Sequence, residues 1–420
     1  MKDSYAWIKG FNYVPSTARN DIECWRDYDP AVIENEMVFA ERLGLNCARV
    51  FLSFVVYKDD PEKFIGNLKH FVSAAYARGV YTMPVIWDSC GGEKESVIDA
   101  DLNEWYGNPG FANLGPEFWP EQDKYCTDII DALSGHPGLL IWDIHNEPLM
   151  TKYAVDYSLW SLGNENISND DKREKEGNVA LIWRFVRHFC DFFHEHDKKT
   201  PVTVGLEHIS YLGNVSDHCD VISFHDYSPT PKLIDDIYKK ALGESERLGK
   251  PVICTELGCP ARANPYDIAI EAAQKNKVGF ILWELMIGAS FWNDRVGIVY
   301  PDGTVRDPSI VSALFGFHRN RGESRKPYVM NTENLIYRVE NSINKFLADP
   351  YDHAGCLGLL GIICSLFESY EVVAMGPLPS VIIGQIAEDT PENRGKALRL
   401  LAGWSEKMLV YKDKRPAWSL

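Results

Sequence analysis

The chain has 420 residues, 45% of them hydrophobic and 25% charged, and a formal net charge of −17. That composition belongs to a folded globular protein with a large core and excludes a mainly disordered chain. The excess of acid argues against a nucleic-acid backbone or an anionic membrane as partner, and suits a neutral substrate.

Short apolar runs alternate with helical patterns from residue 6 to about 319, and the runs are continuous in hydrophobicity, as buried parallel strands are. The first predicted strand is 7–12. Asp29-Pro30 then opens a helix by N-cap and first-turn proline, running to Leu43 with Gly44 as its stop. Strand 47–51 follows, then a helix opened by Asp60-Pro61, running to Arg78 and stopped by Gly79. Strand 81–87 leads into a long loop, 88–121, that carries Trp105, Phe111 and Trp119. Helix 122–133 and strand 139–145 come next. A second long loop, 148–176, carries Tyr153, Tyr157 and Trp160 and ends in a charged run, 170–176, read as a solvated surface stretch. Helix 177–196 has an apolar stripe of Ile182, Phe185, Val186, Phe189 and Phe193 at three- and four-residue spacing. Strand 202–205, a weak helical signal at 209–215, strand 221–224, helix 233–248, strand 252–255, helix 265–277, strand 280–283 and helix 308–317 complete the series.

Eight strand–helix repeats predict an α/β chain folded as a (β/α)8 TIM barrel over residues 1–320. An open doubly wound sheet is the alternative, but no G-x-G-x-x-G or P-loop accompanies it. After residue 320 the rhythm breaks. Helical patterns at 331–347, 356–370 and 390–408 predict a C-terminal helical extension, 321–420, packed on the barrel or at the subunit interface of a homo-oligomer. The longest apolar run, 355–367, falls short of the roughly 20 residues a membrane helix needs. The ten cysteines include no C-x-x-C pair and no zinc-like spacing with histidine. Cys47, Cys190, Cys254 and Cys364 lie in apolar runs, as buried thiols do. With no apolar leader visible after Met1, this points to a reducing, cytoplasmic setting, where the sequons at Asn166 and Asn214 carry no meaning.

Two strand ends carry the chemistry. Ile141-Trp142-Asp143-Ile144-His145-Asn146-Glu147-Pro148 is an apolar strand that Pro148 must terminate, leaving Glu147 at the barrel mouth. Val252-Ile253-Cys254-Thr255-Glu256-Leu257-Gly258 ends the same way in Glu256, about three βα units later. Both long loops follow strands and so lie on the same C-terminal face, where barrel enzymes keep their sites. Two carboxyl groups about 5–5.5 Å apart are what retaining glycoside hydrolysis uses, one as nucleophile and one as acid and then base. The charge of one is expected to raise the pKa of the other and keep the acid protonated. Asn146 is placed to hold a sugar 2-hydroxyl. Either glutamate alone could equally be half of a structural ion pair; the two together favour chemistry.

Arg49, inside the apolar strand Cys47-Ala48-Arg49-Val50-Phe51, must be paired, with Glu256 as the evident partner and a salt bridge elsewhere as the alternative. His225 and Tyr227 end strand six; a tyrosine hydroxyl there could donate to the nucleophile, and His225 reads as a substrate contact or a support behind one. Trp283 ends strand eight as a floor for the sugar, or as a core tryptophan.

In these residues the chain resembles clan A glycoside hydrolases, most closely glycoside hydrolase family 5. The pattern is Arg49 on strand two, Asn146-Glu147-Pro148 on strand four, His225-x-Tyr227 on strand six, Glu256 on strand seven and Trp283 on strand eight. The segment from Gly297 to Pro308 also resembles the stretch after strand eight in such enzymes. The resemblance implies a barrel, net retention, Glu147 as acid/base, Glu256 as nucleophile, and neither metal nor organic cofactor. One departure is that family members often end strand three in histidine, whereas here Trp87-Asp88-Ser89-Cys90 stands there, with Trp87 or Asp88 to line the first sugar site.

The expectation is therefore a retaining glycosidase of short β-linked oligosaccharides, exo-acting because long loops wall off the cleft, and similar to β-mannosidases. An endo-β-1,4-mannanase or a β-glucanase or β-glucosidase is the rival in the same class. A catalytically inactive sugar-binding barrel is the rival from another. A barrel isomerase or aldolase would need a Schiff-base lysine, a metal cluster or a phosphate loop, and no such signal is present.

Overall fold

The structure is a computed structural model, and it describes residues 5–90, 96–100, 104–151, 153–154, 169–290 and 296–318. The predicted extension 321–420, the run 355–367, Tyr157 and Trp160 lie outside the described residues.

Eight parallel strands close on themselves in chain order: β1 (Lys9–Tyr13), β2 (Cys47–Phe51), β3 (Tyr81–Asp88), β4 (Trp142–Asn146), β5 (Val202–Leu206), β6 (Ile222–Asp226), β7 (Val252–Leu257) and β8 (Gly279–Leu282). The ring is sealed by β8 pairing with β1, Lys9 opposite Phe280. This is the (β/α)8 barrel that the sequence predicts. Each predicted strand is present, the second with the predicted ends and the others shifted by one to three residues at one end or both.

The helices form for the local reasons expected. Asp29 accepts from the Ala31 N–H and Asp60 from the Lys63 N–H, each just before a first-turn proline. Gly44 and Gly79 follow these helices at φ +68° and +73°, which a residue with a Cβ adopts only under strain. The helix after β4 begins at Asn169 rather than 177. The charged run ahead of 177 lacks an apolar stripe, yet its Glu and Lys residues favour helix, and Glu174 and Glu176 face solvent. Two short helices, Asp21–Arg26 and Phe54–Asp59, are too brief to show a period and escape the sequence reading.

Two apolar layers hold the barrel. Outside, Trp25, Phe64, Phe71, Trp87, Trp142, Phe185 and Phe189 fill the space between strands and helices. Inside, Ile8, Cys47, Met83, Ile141, Val221, Ile253 and Ile281 form a separate cluster at the N-terminal strand ends. Burial of each large aliphatic side chain contributes about 1.5–3 kcal/mol before entropy is counted. Strand side chains alternate, so the residue two positions on points the same way. Two positions past Cys47, Ile141, Val221 and Ile253 stand Arg49, Asp143, Ser223 and Thr255, all buried. The apolar floor therefore carries a polar layer, and above it lies the mouth.

Candidate active site

The centre of the polar layer is Arg49, with no exposed surface. Its Nε donates to Asp143 Oδ2 at 2.7 Å, Nη1 to Asn12 Oδ1 at 2.8 Å and Glu256 Oε1 at 2.7 Å, and Nη2 to Asn146 Oδ1 at 2.7 Å. Burial alone would lower its pKa, but the charges of Asp143 and Glu256 outweigh it and hold the guanidinium protonated. Space for it comes from a glycine: a Cβ on Gly205 of β5 would lie 2.6 Å from Arg49 Nη2 and 3.2 Å from Asp143 Oδ2 and His225 Nε2. The Gly205 N–H itself donates to Asp143 Oδ1 at 3.0 Å. A glycine inside a buried strand marks such a close approach.

Glu256 lies within β7 and accepts on both oxygens, from Arg49 on Oε1 and from the Tyr227 hydroxyl on Oε2 at 2.7 Å. Glu147 follows β4 directly. Its φ is +41°, a conformation that costs a residue with a side chain about 1–3 kcal/mol and is concentrated at functional sites. Its N–H donates to the Gly205 carbonyl at 2.8 Å, which fixes the turn. Glu147 also accepts on both oxygens, from His225 Nδ1 on Oε1 at 2.7 Å and from the Cys90 thiol on Oε2 at 3.1 Å. His225 Nδ1 is 3.3 Å from Glu256 Oε2 as well, so one ring nitrogen sits between the two carboxylates. An oxygen of Glu147, one of Glu256 and a ring nitrogen of His225 all lie within 4.8 Å of one another. By distance that trio is also the place among the described residues where a cation could be held.

The structure thus brings Arg49, Asn146, Glu147, His225, Tyr227 and Glu256 together at the mouth. Trp283 follows β8 at the same end, half-buried and edge-on to Phe51 at 5.9 Å, and its carbonyl accepts from the Tyr266 hydroxyl at 2.6 Å. The peptide between Trp283 and Glu284 is cis. Asn146 is held at both ends: its Oδ1 accepts from Arg49, and its Nδ2 donates to Asp88 Oδ1 at 3.0 Å. The second amide hydrogen is left for Cys90 Sγ at a weak 3.7 Å, or for a sugar hydroxyl in its place.

One expectation is narrowed and one is corrected. Of the pair proposed to replace the strand-three histidine, Trp87 turns away from the mouth and packs on Tyr125, Phe185 and Phe189, while Asp88 reaches Asn146 and accepts from Trp105 Nε1 at 2.6 Å. The Glu147 carboxyl, expected to be raised by Glu256, is instead lowered to about 2. Burial pushes it up, but the hydrogen bond and charge of His225, with Arg262 and the Cys90 thiol, pull it down further.

Several residues at the mouth escape the sequence reading. Asp143 could have been found by the argument applied to Arg49, as a charge inside an apolar strand. Gly205 could have been found as a glycine inside one. Cys90 carries no signal of its own. Glu284, next to Trp283, is 1% exposed with Oε1 unpartnered; burial and then the Glu256 charge push its carboxyl up to about 8. Glu207, just past β5, accepts from the Leu149 N–H at 3.1 Å, and burial and then Glu147 push it to about 8 as well.

No protein-family model and no curated protein sequence matches the chain. Solved structures do. The chain is similar to GH5_18 from Streptomyces cattleya in complex with Manb1-4GlcNAc, at 16% identity and TM-score 0.51 over 76% of this chain and 83% of that one. It is similar to the exo-β-1,4-mannosidase from Opitutaceae bacterium strain TAV5, at 16% identity and TM-score 0.51 over 73% of this chain and 58% of that one. It is also similar to a glycoside hydrolase family 5 enzyme from Prevotella bryantii, at 15% identity and TM-score 0.50 over 75% of this chain and 98% of that one. The chain folds as these glycoside hydrolase family 5 barrels do.

Proposed function

We propose that the protein is a retaining β-glycosidase of glycoside hydrolase family 5, with Glu256 as nucleophile and Glu147 as acid/base. The observation that carries this is two glutamates from β4 and β7 with carboxylate oxygens within 4.8 Å across one mouth. Retaining enzymes hold the two carboxyl groups about 5–5.5 Å apart and inverting enzymes about 6.5–9.5 Å, and oxygens this close fit the first. Glu256, held by Arg49 and Tyr227, attacks the anomeric carbon as the bond to the leaving oxygen breaks. Glu147 gives that oxygen a proton, then takes one from the water that releases the sugar. For that step Glu147 must carry its proton on Oε2 when substrate is bound, because Oε1 faces His225 Nδ1 at 2.7 Å. Asn146 orients the 2-hydroxyl, and Trp283 lies under the ring.

For the substrate we propose a short, neutral β-mannoside cleaved from its end, by a protein in a reducing, cytoplasmic setting. Support comes from the length of the loops after β3 and β4, which meet where Phe111 and Tyr153 stack at 4.2 Å. Cys24, Cys47, Cys90, Cys126, Cys190, Cys219 and Cys254 are free thiols, as such a setting would keep them. A mannosidase among the structural neighbours, and a Manb1-4GlcNAc ligand in another, fit the same reading. Turnover of 4-nitrophenyl β-mannoside, β-glucoside and β-galactoside, compared with β-mannan, tests it. Release of mannose from the mannoside and from short manno-oligosaccharides is expected. Chain cleavage of mannan without terminal mannose would overturn exo action, and no turnover of any β-glycoside would overturn the glycosidase.

A further inference from the structure

Glu147 keeps one oxygen for each neighbour. Oε1 is committed to His225 at 2.7 Å, so Oε2 is the oxygen left to carry the proton toward a leaving group. The Cys90 thiol bonds to it at 3.1 Å. Cys90 is placed by its own N–H, which donates to Asp88 Oδ1 at 2.9 Å, the oxygen that also holds Asn146. Cys90 itself is half-buried.

We propose that Cys90 is a positioning residue for acid catalysis, its S–H directing Glu147 Oε2 at the glycosidic oxygen. The inference rests on the glycosidase reading above. A carboxylate oxygen has two lone pairs. The thiol donates to one while the other takes and delivers the proton, so the oxygen does not rotate away between steps. When the proton leaves Oε2 for the glycosidic oxygen, the oxygen gains full negative charge, and the thiol's bond to it strengthens. The thiol does not compete for that proton. Burial first, and then the carboxylates of Asp88 and Glu147, raise its pKa well above the ordinary range, so it stays S–H through the cycle.

A residue that acts through the acid matters only where the acid matters. Good leaving groups depart unprotonated, so the leaving-group series separates positioning from mere packing. Cys90→Ala is expected to lower kcat/KM about tenfold on β-glycosides whose leaving groups need protonation, and by less than about twofold on the 2,4-dinitrophenyl glycoside. Cys90→Ser keeps a donor and should recover most of the loss. An equal loss across the series, no loss anywhere, or failure of serine to recover what alanine loses would overturn the inference. Wild-type turnover of the same series tests the glycosidase reading separately: if wild type cleaves and the variants show no leaving-group dependence, only the role of Cys90 fails.

Discussion

At the N-terminal ends of the strands, Cys47, Ile141, Val221 and Ile253 meet in an apolar cluster that any well-packed barrel could have. Two residues further along the same strands stand Arg49, Asp143, Ser223 and Thr255, and beyond them the glutamates. The floor is sealed by shape and is indifferent to which aliphatic side chain supplies it. The mouth is held by charge-assisted bonds centred on Arg49, which reaches Asp143, Glu256, Asn12 and Asn146. The comparison teaches where function is stored: in the layers that break the local rules of a buried strand and are stabilised by one another instead.

The largest expected effect comes from the mouth carboxylates themselves. Glu256→Ala should abolish turnover. Glu147→Ala should cost about 10²–10⁴-fold on substrates whose leaving groups need an acid, and much less on dinitrophenyl glycosides. Azide should rescue both, giving an α-glycosyl azide from Glu256→Ala and a β-glycosyl azide from Glu147→Ala. Equal, unrescued losses would show that the two do not hold different roles.

Next is the bond that ties the mouth together. Arg49→Met removes one partner from Asp143 and Glu256 and leaves two acids buried together, which should cost about 3–5 kcal/mol in urea unfolding. Arg49→Lys should recover little, because a single ammonium cannot reach four acceptors. A stability change within error for Arg49→Met would mean that the polar layer does not hold the barrel mouth.

A matched pair then compares the layers directly. Gly205→Ala puts a methyl against Arg49 and should cost about 1–3 kcal/mol together with a loss of kcat. Ile253→Val on the floor should cost about 0.5–1.5 kcal/mol and leave kcat/KM unchanged. Equal effects on rate would erase the distinction between floor and mouth.

The smallest signal per step is in pH. Burial raises the Glu284 and Glu207 carboxyls to about 8 and those of Asp88 and Asp21 to about 7. Between their ordinary values and these, the unfolded chain has lost protons that the folded one keeps. Stability should therefore fall as pH rises from about 4 to 8. The lowered Glu147 acts in the opposite sense in a separate window, its contribution lost as pH falls from 4.5 to about 2. Melting temperature across pH should show a maximum on the acid side of neutrality, and Glu284→Gln should flatten the alkaline slope. A flat profile to pH 8 would mean that these carboxyls are not buried as acids.

The sequence reveals the barrel because its signals are local: apolar runs mark the strands, and caps and glycines mark the helix ends. Glu147 and Glu256 are legible because each breaks an apolar run at its end. What is illegible depends on contacts across the barrel. Nothing near Cys90 in the chain announces that it meets a carboxylate 57 positions away, and nothing near Gly205 says that Arg49 crosses over it. Trp87 and Asp88 are adjacent candidates for one task, and only the closed barrel shows which faces the mouth. The lowered Glu147 carboxyl likewise depends on His225 from β6, whose approach no spacing encodes.

The most direct test of the paired carboxylates is the stereochemistry of the first product, followed by proton NMR during hydrolysis of a β-glycoside by the wild-type enzyme. Double displacement at carboxylates this close predicts that the β-anomer of the free sugar appears first and the α-anomer only later, by mutarotation. Appearance of the α-anomer first would mean a single displacement by water, and Glu256 would not be a nucleophile.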